Sequence, residues 1–267
     1  MSTKALPGPK PSTPDLLAPA VTPGKTTLVL IQNGLGIEDE YATAFPTNPL
    51  LSCVVYLPTT QTAPGHIRMG AVEQLHIGTF PSNQAASSPA SLAATSLQAT
   101  LLSAGSDARL HADIQAQRWR KLLINASWNP ICALSLSRDV AFLASGAGAE
   151  KLVADVMREV VAVARAKGYE DEISEAVARE QMARALERKG TAGIEPSMLV
   201  DVVEGRRMEV EVILGKPVEV AREVGVAVPR LETLDALLKG LDEAVALRRP
   251  GRSLGGDETE EARRGRA

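Results

Sequence analysis

Cysteine, histidine and aromatic residues are all scarce in this chain of 267 residues: two cysteines, three histidines and an aromatic share of 3%. Cys53 and Cys132 sit in apolar runs, LLSCVVYL and NPICAL. They read as small buried hydrophobes, which excludes a disulfide-built scaffold or a paired-cysteine metal site. His66, His76 and His111 show no ligand spacing, so no zinc motif is present. No apolar run approaches the ~20 residues that cross a bilayer, and the N-terminus lacks a signal-peptide core. A formal charge of −3 gives no basic surface for nucleic acid or anionic lipid. A P-loop and a Ser-His-Asp arrangement are also missing. The classes left are a cytoplasmic enzyme and a small-molecule-binding protein, with no nucleic-acid and no membrane partner.

What is present is ordinary for a globular chain: 45% apolar and 23% charged residues, long enough for a substantial core. The pattern changes once along its length. After a Pro-rich start with a short helix at 15–20, residues 26–32 and 50–57 are β-branched apolar runs that read as buried strands. Pro64-Gly65 makes a turn, and 67–69 with 73–79 alternate as a hairpin. A helix at 87–102 and a strand at 108–111 complete an α/β part. From 113 onward only helices are expected: 113–129, 149–167 stopping at Gly168, 173–189, and 196–214 with 218–224 broken near Gly215-Lys216-Pro217. A last helix spans 231–248. The division is therefore 1–112, 113–248 and a charged, Gly-rich tail at 249–267 that reads as disordered.

The helix at 113–129 holds the most informative residues. Lys121, Asn125 and Asn129 recur every four positions, within an arc of about 80° at about 100° per residue. Trp119, Leu122, Leu123, Ile124, Ala126 and Trp128 make most of the remaining circumference apolar. Two readings are open: a narrow solvated stripe, or a buried wall aiming one ammonium and two amides at a small polar ligand. Asn33 ends a strand in Gln32-Asn33-Gly34-Leu35-Gly36, where α/β sheets bind ligands, although Asn-Gly is also a common turn. Ser197 either starts a helix or faces a ligand. Glu209 falls about 120° further round if that helix stays regular, or joins Arg206, Arg207 and Glu211 in a solvated charge cluster. Gly146-Ala147-Gly148 precedes a helix without a strand before it, so it is not a dinucleotide loop.

Read in order, Thr3-Lys4-Ala5-Leu6, Gln32-Asn33-Gly34-Leu35-Gly36, Trp119-Arg120-Lys121-Leu122 with Asn125 and Asn129-Pro130, Pro196-Ser197-Met198-Leu199 with Asp201, and Gly205-Arg206 with Glu209 resemble the ketopantoate reductase (2-dehydropantoate 2-reductase) family. The resemblance runs from Met1 to about Leu247. It implies an α/β + all-α fold. The C-terminal part of a Rossmann-like NADP-binding domain precedes a helical domain of the 6-phosphogluconate-dehydrogenase type, with the active site between them. It further implies an oxidoreductase that uses NADPH to reduce ketopantoate, or a related 2-keto acid, to pantoate on the route to pantothenate and coenzyme A.

By that resemblance Lys121 is the proton donor and Glu209 lies by the reacting centre and the nicotinamide. Asn125, Asn129 and Ser197 hold the substrate's hydroxyl and carboxylate, Asn33 touches cofactor ribose and substrate, and Lys4 lies near the nicotinamide end. The residue types suit the chemistry: hydride addition to a ketone builds an alkoxide that an ammonium stabilises and protonates. Position 194, often asparagine in the family, is Ile194 here. The family's first strand, Gly-x-Gly-x-x-Gly turn and following helix would lie ahead of Met1. The resemblance therefore implies an incomplete nucleotide-binding domain and impaired activity as written. The alternatives are a non-catalytic remnant that pairs as a homodimer through amphipathic helices such as 149–167, and a small-acid-binding module.

Overall fold

A computed structural model of the chain describes residues 1, 3–6, 8 and 11–247. It divides into two compact units, Met1–Lys121 and Leu122–Ala267. The division falls inside one helix, nine residues beyond the expected boundary at 112. The expected tail at 249–267 lies outside the described residues.

The first unit is built on a four-stranded sheet of order β1-β2-β5-β6, with β1 Leu28–Leu30, β2 Leu50–Tyr56, β5 Gln74–Phe80 and β6 Ala108–Leu110. β1 runs parallel to β2 and β5 parallel to β6, while β2 and β5 are antiparallel from Leu50↔Phe80 to Tyr56↔Gln74. Because side chains alternate across a strand, the parity of the residue number decides which layer it joins. Leu51, Cys53 and Ile77 pack with Ala90 and Ala94 of α3, Pro89–Ser103. Ser52 and Gly78 face the other way, toward Arg118 and Ile114 of α4, Ile114–Ser135. α1, Thr13–Leu17, opens with a reciprocal Ser12–Asp15 capping box, and α2, Asp39–Ala44, follows the glycine turn after β1.

The hairpin expected from 67–69 and 73–79 forms differently. β3, Thr59–Ala63, pairs with β4, His66–Met69, around Pro64-Gly65, while β5 enters the main sheet. The reason is burial: His76 to Thr79 are buried, whereas all of β4 is exposed. A strand covered on both faces belongs in the middle of a sheet.

Gly78 is where α4 comes closest. A Cβ there would lie 2.6 Å from Ile114 Cβ and 3.1 Å from the His111 carbonyl oxygen. Gly78→Ala is expected to destabilise the chain by about 1–3 kcal/mol through overpacking, read as a lower urea midpoint with an unchanged slope. An unshifted midpoint would mean that Ile114 yields freely.

The second unit is helical throughout its described residues: the rest of α4, then α5 Asp139–Ala144, α6 Ala149–Ala166, α7 Glu175–Leu186, α8 Ser197–Val203, α9 Lys216–Glu223 and α10 Pro229–Leu247. Gly146 and Gly148 merely join α5 to α6. α6 buries Val153, Val156, Met157, Val160, Val163 and Ala164 along one stripe, and Glu159 accepts from the backbone N–H of Arg230 and Leu231 at the start of α10.

Two helix expectations are corrected. α4 continues to Ser135 through Pro130, because Ile131, Cys132 and Ala133 beyond it are buried; their burial offsets an interior proline's cost of about 3 kcal/mol. The helix expected over 196–214 stops at Val203, with Gly205 at φ +66°. A second helical run then resumes through a π turn, Glu211–Gly215, straight into α9. The wider turn makes room for the carbonyl that Pro217, having no N–H, leaves without a donor, and the chain does not break at Gly215-Lys216-Pro217.

Candidate active site

α4 begins with Asp113, whose carboxylate accepts from Gln115 N at 2.9 Å and Ser82 Oγ at 2.7 Å. One turn in, Arg118 is almost wholly buried. Its Nε lies 2.8 Å from Glu38 Oε1 and donates to Ser52 Oγ at 2.8 Å. Its Nη1 donates to the carbonyls of Gln32 at 3.1 Å and Gly34 at 2.9 Å, and its Nη2 to that of Cys53 at 3.3 Å. Glu38 Oε1 also accepts from Ser52 Oγ at 2.6 Å and Gln115 Nε2 at 3.0 Å. A buried ion pair is tolerable only when such additional bonds satisfy it. Here those bonds grip the carbonyls on both sides of Asn33.

Asn33 is thereby presented to Lys121. The Lys121 ammonium donates to Asn33 Oδ1 at 2.7 Å and to the Val55 carbonyl at 2.6 Å, and it lies 5.5 Å from the centre of the Tyr56 ring. Since an ammonium only donates, the Asn33 amide must turn its oxygen to Lys121. Lys4 is half-buried and follows Thr3, whose hydroxyl is 3.5 Å from Gln32 Nε2 at the same end of β1.

The remaining candidates belong to the second unit. Asn125, half-buried, and Asn129, buried, lie one and two turns along α4 from Lys121. Ser197 is exposed at the first residue of α8, whose N-cap is Pro196. Glu209 is buried, and it does not share a regular helix with Ser197. Arg206 pairs with Asp201 at 3.2 Å, Arg207 with Asp242 at 2.6 Å, and Glu211 with Lys239 at 3.2 Å. Asp242 also accepts from Met208 N at 2.7 Å, which pins the segment carrying Glu209 to α10. At Ile194 the backbone N–H donates to Asp139 Oδ1 at 2.7 Å while the side chain is exposed.

Among the described residues no cluster of three or more His, Cys, Asp or Glu could hold a metal. Cys53 and Cys132 are free and buried, and burial pushes each thiol up to about 12, so neither serves as a nucleophile near neutrality. Arg118, Glu38 and Tyr56 are the residues that sequence reading missed. The one available signal was an arginine placed three residues before Lys121 on the same helix.

Residues 2–82 match the family described as "Ketopantoate reductase PanE/ApbA", and residues 113–242 match "Ketopantoate reductase PanE/ApbA C terminal". A 2-dehydropantoate 2-reductase of Nostoc sp. is 30% identical over 232 residues, 86% of this chain and 69% of the relative. The chain belongs to the ketopantoate reductase family. Among solved structures, the crystal structure of 2-dehydropantoate 2-reductase from Methylococcus capsulatus matches with a TM-score of 0.78 and 33% identity. That match covers 95% of this chain and 75% of that one. An uncharacterized protein of Saccharomyces cerevisiae is 32% identical over 224 residues, 80% of this chain and 60% of the relative. The chain thus spans about three fifths of that relative's length.

As a ketopantoate reductase family member, the chain pairs an α/β sheet unit with a helical unit, in agreement with the sequence reading. Among the described residues no strand, glycine turn and long helix follow one another to cradle a pyrophosphate: β1 leads to Gly34 and Gly36, but the helix after them, α2, has six residues.

Proposed function

We propose that this chain carries the keto-acid site of a 2-dehydropantoate 2-reductase, which reduces ketopantoate or a related 2-keto acid to the hydroxy acid in cytoplasmic pantothenate and coenzyme A biosynthesis. The observation that carries the reading is the Lys121–Asn33 contact at 2.7 Å. It joins the two sequence motifs, 88 residues apart, in a single polar group. The ammonium is aimed by an amide oxygen and a backbone carbonyl, both neutral acceptors. It donates to the keto oxygen, and its proton moves to that oxygen as negative charge builds there. Asn125 and Asn129 offer amides to the substrate's hydroxyl and carboxylate without adding charge, Ser197 adds a hydroxyl, and Glu209 orients the reacting groups. NADPH, when bound with Lys4, Asn33 and Glu209 at its nicotinamide end, supplies the hydride.

A second reading, a small-acid-binding module, needs only the amides of Asn125 and Asn129 along α4 and no cofactor. One pair of measurements separates the two. Pantoate is expected to raise the thermal midpoint of the chain, and Asn129→Ala to remove most of that rise. Ketopantoate is expected to drive NADPH oxidation when NADPH is raised to millimolar levels. Stabilisation by pantoate without oxidation would favour the binding module; neither effect would remove the keto-acid site altogether.

A further inference from the structure

Across one face of the sheet runs a row of polar rings that the proposed chemistry does not use. The register sets His76 opposite Val54 on β2 and opposite Arg109 on β6. Tyr56 and His111, each two residues further along, are therefore its diagonal neighbours on the same face. The Tyr56 ring meets the His76 ring edge-on at 5.6 Å and 73°, and the His76 and His111 rings are 4.8 Å apart.

The hydrogen bonds in this row have a fixed direction. Gln74 Nε2 donates to Asp107 Oδ2 at 2.8 Å, because a carboxylate only accepts. The Gln74 oxygen therefore faces His76 Nε2 at 2.7 Å, and that nitrogen must carry the proton. In neutral His76, Nδ1 is then an acceptor, taking the Nε2 proton of His111 at 2.7 Å. Asp107 is itself held by Arg109 at 2.8–2.9 Å and by its backbone N–H against Glu73 at 3.3 Å. A second proton on His76 turns its Nδ1 into a donor, which His111 can meet only by giving up its own Nε2 proton, so the bond between the two rings has to be rebuilt.

We propose that Tyr56 is a positioning residue for Lys121, seated on the neutral His76–His111 pair, so that protonating the pair tilts the ring and loosens the ammonium that rests on it. The proposal rests on the reading of Lys121 as proton donor but is tested without it. The charged groups facing the pair are Arg109 from β6, Asp107 just ahead of that strand, Arg120 from α4 and, beyond the Tyr56 ring, Lys121. His76 is pushed down to about 4, by burial first, then by His111 and Arg109, with Asp107 opposing and Arg120 adding a little. Burial and Arg109 lower His111 as well.

The sign for stability follows. The unfolded chain binds these protons near pH ~6.5 and the folded chain only lower down, so stability rises with pH across that interval and is lost on acidification.

The test uses the whole chain with 13C-labelled lysine, the Lys121 Cε–Hε signal being the one missing in Lys121→Arg. In the wild type this signal is expected upfield through the Tyr56 ring current, and its displacement begins to shrink as titration from pH 7.5 approaches 4. Tyr56→Leu should move it downfield at neutral pH, Tyr56→Phe should restore it, and His76→Gln should remove the acid-range change. A signal indifferent to both Tyr56→Leu and pH would overturn the proposal. Where Tyr56→Leu does not fold, the wild-type titration decides alone. Several-fold lower kcat with unaltered KM in Tyr56→Leu, rescued by Tyr56→Phe, extends the claim to turnover. If the wild-type chain reduces no keto acid, the donor reading fails, while the lysine signal still decides whether Tyr56 positions Lys121.

Discussion

Replacing Lys121 with alanine is expected to lower kcat for ketopantoate reduction by about 10²–10⁴-fold, the range of a positioned general acid, while KM changes far less. The asymmetry follows from when the interaction matters. A neutral keto oxygen takes little from an ammonium beyond one hydrogen bond, whereas the alkoxide formed on hydride addition takes a full proton. The partners of Lys121, the Asn33 amide oxygen and the Val55 carbonyl, lose one donor but leave no buried charge behind, so the variant should remain folded. Asn33→Ala, which releases the ammonium without removing it, should fall between wild type and Lys121→Ala. Steady-state rates at saturating NADPH decide this. A Lys121→Ala variant with raised KM and intact kcat would reduce the lysine to a substrate-binding contact.

Arg118→Met should have the largest effect on stability, a loss of about 3–5 kcal/mol, since it leaves the Glu38 carboxylate buried without its cation. Glu38 and Arg118 are 1% and 2% exposed, so solvent cannot take over either charge. Because the pair's desolvation cost is large, Arg118→Met combined with Glu38→Leu should recover most of the loss. Turnover should not recover with it: the Gln32 and Gly34 carbonyls that Arg118 grips flank Asn33, and no apolar pair replaces that grip. Urea midpoints for the two single variants and the double variant, read beside kcat, separate the stabilising role from the positioning one. A single variant as stable as wild type would contradict the buried-pair account.

These effects also show where sequence reading reached and where it stopped. Lys121, Asn125 and Asn129 could be named because a regular helix enforces their four-residue spacing, and α6 because its valines keep a helical period. Local patterns carry local structure. Arg118 sits between Gln117 and Trp119 and looks like one more surface charge; its partner Glu38 precedes α2, and only the packing of α4 on the even-numbered face of β2 joins them. His76 and His111 show no spacing because sheet register, not sequence distance, makes them neighbours. The mistaken hairpin came from two short alternating segments whose partners were set by burial of β5. The over-long helix at 196–214 came from an apolar period that resumes after Gly205, which hid the turn between.

The most direct test of the central claim is chemical rescue of Lys121→Ala in ketopantoate reduction by small primary ammonium ions. If Lys121 is the proton donor, methylammonium should restore part of the lost rate in a saturable way, and amines of lower pKa should restore more. A variant that already turns over at the wild-type rate, or one whose lost rate no amine restores, would contradict it.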